Sequence, residues 1–244
     1  MTVPMPGSDS DSRSGSLLIA WQLKEKHVLI VGGGKVASSR IQDVLAAGAK
    51  VTVISPFQGL NEQTQSFIDN KDSNSHIVFH DRTFVTTDLD DVDMVLTAID
   101  DVELSRNIGT WCRARRIPVN VADDPSYCDF YFGSQIRQGP LQIMVSTNGK
   151  SPKLANIIRR RIEESIPKGV GEAIEKVGLL RDKLKERAPG VGGDISKRRM
   201  KWMVDLCTSW ELDDLASLDD RQIEWLLDEG WERDVVPPTP GPKE

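Results

Sequence analysis

His27-Val28-Leu29-Ile30-Val31-Gly32-Gly33-Gly34-Lys35-Val36-Ala37 is the stretch that decides how this chain folds. Four apolar residues run into three glycines, and residues suited to a helix follow. The pattern predicts a strand, a tight turn and a helix start with the spacing G-x-G-x-x-A. Gly32 can adopt the turn's backbone angles, and Gly34 lets a pyrophosphate approach the main chain. Ala37 keeps the new helix close to the strand, whose following helix offers free N–H groups and a dipole to phosphates. An ordinary strand-to-helix turn would also use such glycines, but the βαβ setting favours dinucleotide binding. Gly32, Gly33, Gly34, Lys35, Val36 and Ala37 are therefore candidate cofactor contacts.

Working outward, Val36, Ile41, Val44 and Leu45 recur at helical spacing, and Gly48 suits the stop. Val51 to Pro56 is a β-branched second strand ended by proline. In the commonest NAD fingerprint an acidic residue ends this strand and grips the ribose hydroxyls. Ser55 stands there instead and is the candidate contact; no arginine replaces it to argue for NADP. Ile77 to Phe79 reads as a third strand and Met94 to Ala98 as a fourth. The fourth runs into Thr97-Ala98-Ile99-Asp100-Asp101, at the strand end where open α/β sheets bind ligands, so Thr97, Ala98 and Asp100 join the candidates. A helix over 102–115 and a strand over Ile117 to Ala122 complete the alternation. The class is α/β, a Rossmann-like doubly wound parallel sheet.

The pattern then changes. Phe130-Tyr131-Phe132 and Leu141 to Val145 read as hairpin strands joined through Gln138-Gly139-Pro140. Ser151 is a good N-cap and Pro152 a good first residue for a helix reaching about Glu164, with Leu154, Ile157, Ile158 and Ile162 on one stripe. The last third is helical: Ile174, Val177, Leu180 and Leu184 mark one helix, and Trp202, Met203, Leu206 and Trp210 another. Ser217 to Asp220 has capping-box spacing, and Gly230 suits a C-terminal cap. The expected organisation is a disordered lead-in over 1–15, a Rossmann domain over 16–125, a small β/α central region over 126–166, a helical C-terminal domain over 167–235 and a fraying tail over 236–244. Leu17 to Trp21 is expected to pack in extended form on the domain edge.

A net charge of −6 argues against broad nucleic-acid binding, and no apolar run approaches the length of a membrane span. The lead-in has no apolar signal core. Cys112, Cys128 and Cys207 are scattered without metal-ligand spacing, as expected of reduced thiols in a cytoplasmic protein. His27, His76 and His80 flank strands and suit structural placement, so no protein metal cage is expected.

Two stretches could carry chemistry. In Asn120-Val121-Ala122-Asp123-Asp124-Pro125 two carboxylates follow the fifth strand. Asp124 precedes proline and suits capping or an Asx-turn. Asp123 sits at the strand end on the glycine loop's edge of the sheet; it is either a solvated loop carboxylate or, as its location favours, a ligand-facing acid/base. Asn120 beside it is a candidate substrate contact. In the second stretch, Ser146, Thr147 and Asn148 offer hydroxyls and an amide, and Lys150, Lys153 and Arg159 to Arg161 form a positive cluster. Such a cluster is either a solvated helix face or a site for a substrate with several carboxylates.

The blocks Val28 to Ala37, Leu96 to Asp100, Val119 to Pro125 and Val145 to Pro152 occur in this order, and together they resemble the siroheme synthase family, in particular its fungal bifunctional precorrin-2 dehydrogenase/sirohydrochlorin ferrochelatases. The resemblance covers Leu17 to Arg161 by motif and the rest by architecture. It implies NAD-dependent oxidation of precorrin-2 to sirohydrochlorin, then insertion of Fe²⁺, a substrate, to give siroheme. It also implies a homodimer joined through the central region, a tetrapyrrole substrate with multiple carboxylates, and no nucleic-acid or membrane partner. The family's key aspartate falls on Asp123, and its serine before the N-G-x-S-P turn on Thr147, beside Ser146. Bacterial members carry a fused methyltransferase; the resemblance to the fungal members implies that methylation is another protein's task. A dehydrogenase without chelatase activity and a non-enzymatic NAD-sensing module are the competing readings.

Overall fold

The computed structural model describes residues 16–70 and 76–239. The lead-in over 1–15 and the last five residues lie outside them. The chain divides between Phe132 and Gly133 into two compact units.

The first unit is built on five parallel strands: β1 (His27–Val31), β2 (Lys50–Ser55), β3 (Ile77–Asp81), β4 (Met94–Thr97) and β5 (Val119–Val121). Their order is β3-β2-β1-β4-β5. Alternate residues of β1 serve opposite cores. Val28 and Ile30 meet Ala37, Ile41 and Val44 of α1 (Lys35–Leu45), whereas Leu29 and Val31 join Ile108 and Cys112 of α3 (Val102–Arg115). Both faces of β1 and β4 are buried, which is why these strands read as apolar runs. The chain moves outward from β1 to β3 and returns to β4 on the other side of β1, making a topological switch point between β1 and β4. The β2–β3 connection carries a helix that no sequence signal had marked, α2 (Glu62–Asp69), capped by the Asn61 side chain on the Thr64 N–H at 2.9 Å. Its polar composition hides it, since Thr64 is its one buried residue. His27 has the structural place expected of it: its ring nitrogens meet the Asp91 carbonyl and the Thr52 hydroxyl.

Two expectations for this unit fail. Leu17, Leu18 and Ile19 are exposed; packing begins with Trp21, whose ring meets Phe130 edge-on at 5.9 Å, and with buried Leu23. Phe130-Tyr131-Phe132 is not a strand. Phe130 and Phe132 are partly buried against the α1 side of the sheet, with their ring centroids 5.8 Å apart.

In the second unit the hairpin strands are β6 (Ser134–Gln138) and β7 (Leu141–Val145), with Gln138 opposite Leu141 across a two-residue Gly139-Pro140 turn. Only Ile136 of β6 is buried, so this strand leaves almost no apolar pattern. The helix α4 (Pro152–Ser165) starts at Ser151, whose hydroxyl accepts from the Leu154 N–H. Four further helices follow: α5 (Val170–Arg187), α6 (Gly193–Ser209), α7 (Leu212–Ala216) and α8 (Asp220–Trp225), the last continuing as a π-helical turn over Leu226–Trp231. They close around Leu180, Leu184, Trp202, Leu206, Trp210, Ile223, Leu226 and Trp231. The capping box belongs to Asp219 and Gln222, two residues beyond the expected start. Gly230 is no cap: a Cβ there would stand 2.9 Å from the Trp202 ring and 3.0 Å from Pro237. The expected fraying from Val236 also fails at its start, because the Trp202 and Trp210 indoles donate to the carbonyls of Val235 (2.8 Å) and Pro237 (3.0 Å).

Candidate functional site

The glycine loop is shaped by what cannot fit in it. Gly32 has φ +118, and a Cβ there would lie 2.2 Å from the Ala98 carbonyl oxygen at the end of β4. A Cβ on Gly33 would strike Leu60 at 2.4 Å and the Ser55 hydroxyl at 2.9 Å. A Cβ on Gly34, by contrast, would meet nothing within 4 Å, and no side chain caps the start of α1. Orphan N–H groups therefore face open space at a helix N-terminus, which fits a diphosphate. Lys35 and Val36 are exposed beside this opening, and Ala37 is fully buried against the sheet.

Ser55 is misread from sequence. It is 4% exposed, its hydroxyl donates to the Pro56 carbonyl at 3.0 Å, and it lies beneath Gly33. Its small size admits the glycine loop, and its hydroxyl is engaged with the Pro56 carbonyl.

Across the switch point, the Ala98 N–H donates to the Val31 carbonyl and the Ala122 N–H to the Thr97 carbonyl. These bonds bring the ends of β1, β4 and β5 to one edge. Thr97 is 2% exposed and its hydroxyl has no hydrogen-bond partner. Asp100 is exposed, and Asp101 caps α3 by accepting from the Leu104 N–H.

The two carboxylates after β5 have different surroundings. Asp124 accepts from Arg106 Nε at 2.7 Å and from the Ser126 hydroxyl at 2.5 Å, and these two partners hold its carboxyl below the usual carboxylate range. The expected Asx-turn is present, with the Ser126 backbone and hydroxyl both bonding this carboxylate, and Arg106 adds an ion pair. Asp123 is exposed and, among the described residues, forms no hydrogen bond or ion pair. Its φ of +60 lies in the left-handed region, which Asp enters more readily than most residues.

Side-chain bonds stitch this turn to β5. The Val121 N–H donates to Cys128 Sγ at 3.3 Å, and that thiol donates to the Val121 carbonyl at 3.1 Å. The Val119 N–H reaches the Asp129 carboxylate at 3.1 Å. Asn120, read from sequence as a substrate contact, belongs to this clamp: it is 6% exposed and its amide donates to the Phe130 carbonyl at 2.8 Å. Its amide nitrogen is engaged by the Phe130 carbonyl and by Cys128 Sγ, which gives it a structural place in this turn. One residue escaped the sequence reading altogether. Arg40 of α1 lies with its guanidinium carbon 3.9 Å from the centre of the Phe132 ring, and its Nε is buried without a partner. Asp43 approaches it no closer than 3.9 Å. Burial depresses its pKa, and the nearby charges of Asp43, Cys128 and Asp123 oppose that effect. The Phe132 ring of the returning loop covers it, a contact that spacing along α1 does not reveal.

The remaining candidates belong to the second unit. The Ser146 hydroxyl accepts from the Asn148 N–H at 3.1 Å and the Thr147 hydroxyl from the Ser151 N–H at 3.1 Å, so both build the turn before α4. Asn148 has φ +52; it is exposed, as are Lys150 and Lys153. Arg159 pairs with Glu163 at 2.5 Å, which leaves Arg160 and Arg161 as the exposed cations of that run.

No described helix is long and apolar enough to cross a membrane. Three family models match in sequence order: putative NAD(P)-binding over residues 19–134, sirohaem biosynthesis protein central over 138–165, and sirohaem biosynthesis protein C-terminal over 167–237. The chain is 53% identical over 214 residues to the siroheme biosynthesis protein met8 of Schizosaccharomyces pombe, covering 87% of this chain and 79% of that protein. It is 38% identical over 181 residues to the siroheme synthase of Thioalkalivibrio sulfidiphilus, covering 74% of this chain and 35% of that one. A solved structure titled SirC, precorrin-2 dehydrogenase, shares the fold at a TM-score of 0.63 and 21% identity, over 88% of this chain and 98% of that one. With three family segments in order and a relative matched over most of its length, this chain belongs to the siroheme synthase family.

Proposed function

We propose that this chain oxidises precorrin-2 to sirohydrochlorin with NAD and inserts Fe²⁺ to give siroheme. One observation carries the reading: in a chain of this family, an open glycine cradle and the unpartnered Asp123 carboxylate occupy one edge of the same sheet. Bound NAD supplies the hydride acceptor. The chain's part is to seat the diphosphate on the uncapped start of α1 and to keep a free carboxylate at the end of β5. Asp123 accepts the proton that leaves the macrocycle as it is oxidised. In chelation the same carboxylate takes the pyrrole N–H protons, and the four tetrapyrrole nitrogens ligate the iron. Lys150, Lys153 and one of Arg160 and Arg161 hold substrate carboxylates, and the Ser146 and Thr147 hydroxyl protons are available to donate, with Asn148 exposed beside them.

The working unit in this proposal is a cytoplasmic homodimer. On α4 only Ala155 is buried, while Leu154, Ile157 and Ile158 are 50%, 40% and 38% exposed, an apolar stripe suited to a second copy. The test is an anaerobic absorbance assay with precorrin-2 and NAD. The wild type should form sirohydrochlorin. Asp123→Asn, which suits the same backbone region, should lose at least about a hundredfold in turnover with NADH binding intact. Normal turnover by that variant would remove Asp123 from the mechanism. Sirohydrochlorin and Fe²⁺ supplied without NAD separate the bifunctional enzyme from the dehydrogenase alone: absence of siroheme leaves only the second.

A further inference from the structure

The glycine loop needs a partner for the adenosine ribose, and the position that usually supplies it holds Ser55, whose hydroxyl is turned inward. The neighbouring strand fills that place. β3 runs two residues beyond its apolar segment, and Asp81 at its end pairs in register with Ser55 at the end of β2. The Asp81 carboxylate leaves its own strand and accepts from the Phe57 N–H at 2.8 Å, in the turn that directly follows β2. That turn borders the cradle, because a Cβ on Gly33 would lie 3.1 Å from the Gly59 carbonyl and the Asn61 N–H donates to the Gly33 carbonyl at 2.9 Å. Asp81 therefore presents a carboxylate beside the carboxyl end of β2, one strand away from the residue that sequence spacing would select.

The charges around it are one-sided. The loop Pro56-Phe57-Gln58-Gly59-Leu60-Asn61 carries no basic residue. Arg82, next in the chain, is engaged in a fork with Asp88, Nη1 to Oδ2 at 2.8 Å and Nη2 to Oδ1 at 2.5 Å. Asp81 forms a single hydrogen bond among the described residues, through Oδ1 only, so its second oxygen remains an acceptor.

Resting on the dinucleotide reading above, we infer that Asp81 is the residue that selects NAD over NADP, its free carboxylate oxygen accepting from a ribose hydroxyl and its charge opposing a 2′-phosphate. A carboxylate at this point of a Rossmann sheet acts in that way because a hydroxyl can donate to it, whereas a phosphate cannot and is repelled.

The test uses the full-length protein and titrates NADH and NADPH by nucleotide fluorescence, with no tetrapyrrole present. The wild type should bind NADH at least about tenfold more tightly than NADPH. Asp81→Asn retains an oxygen for the Phe57 N–H and removes the charge; the NADH:NADPH affinity ratio should fall about tenfold with the melting temperature unchanged. Asp81→Arg should favour NADPH outright. A ratio that stays put in both variants overturns the assignment and leaves Asp81 as a turn former, with the dinucleotide site intact. Wild-type protein that binds neither nucleotide overturns the dinucleotide reading and the assignment together.

Discussion

The glycine loop and the Asp123 turn occupy the same edge of one sheet, yet they are held in opposite ways. The loop is fixed by backbone packed so closely that side chains are excluded at Gly32 and Gly33. The Asp123 turn is fixed by side chains: Asn120 on the Phe130 carbonyl, Cys128 on β5, Asp129 on the Val119 N–H and Asp124 on Arg106. A cofactor common to many enzymes is met by main-chain groups, which the glycines leave exposed. Asp123, the carboxylate proposed for the chemistry, forms no bond of its own among the described residues, and its neighbours carry the structural load.

The largest effect should come from attacking the loop. Gly32→Ala places a Cβ 2.2 Å from backbone in a disfavoured φ region, and NADH affinity should fall at least about a hundredfold, with a lowered melting temperature. Gly34→Ala provides the contrast. Its Cβ meets nothing within 4 Å, so the fold should melt as the wild type does while NADH binding weakens by about tenfold through the nucleotide alone. Equal melting losses in the two variants would show that the loop is merely structural.

The clamp should respond differently. Asn120→Ala removes a buried donor and leaves the Phe130 carbonyl unsatisfied, at a cost of about 1–3 kcal/mol in stability. Turnover should drop while NADH affinity remains, which isothermal titration alongside a denaturant melt would separate. A parallel loss of NADH binding would erase the distinction between the two regions.

Asp124 gives a smaller, pH-dependent effect. Its carboxyl is held below its ordinary range by the Ser126 hydroxyl and the Arg106 guanidinium. The folded-state value is depressed, so the stabilisation is present above the unfolded carboxylate range and is lost as pH falls through the folded value. Asp124→Asn should therefore melt at a lower temperature than the wild type near neutrality, and the gap should close towards acid, as melts across pH would show. The smallest effect concerns thiols. Burial pushes Cys112 up to about 12, whereas Cys207 is exposed. Iodoacetamide at pH 8 should label Cys207 in the native protein and Cys112 only after unfolding, as peptide mapping would show.

Legibility followed the same division. The five-stranded unit could be read from sequence because both faces of the central strands are buried, so β1 and β4 carry continuous apolar runs and β2 a β-branched one. β6 could not, since Ser134, Gln135, Arg137 and Gln138 leave Ile136 as its only buried residue, and the adjacent Phe130 and Phe132 look more strand-like while serving a core. At the site, the glycines were legible because their role is the absence of a side chain. Ser55, Asn120 and Arg40 were not, because a polar residue's type does not reveal whether its hydrogen-bonding groups turn inward. Asp81 escaped because register between neighbouring strands, not spacing along the chain, sets it beside Ser55.

The indoles of Trp202 and Trp210, bonded to the carbonyls of Val235 and Pro237, mark a seam in the polypeptide. Cutting the chain before that seam would strand two ring N–H groups and uncover the Trp202–Trp231 pair, whose centroids lie 6.1 Å apart. Joining a cargo or a second module beyond Pro237 leaves both indole partners in place. Pro237 is thus the natural splice point for tagged or fused versions of this enzyme, and tryptophan emission would report at once whether a splice had been made too early.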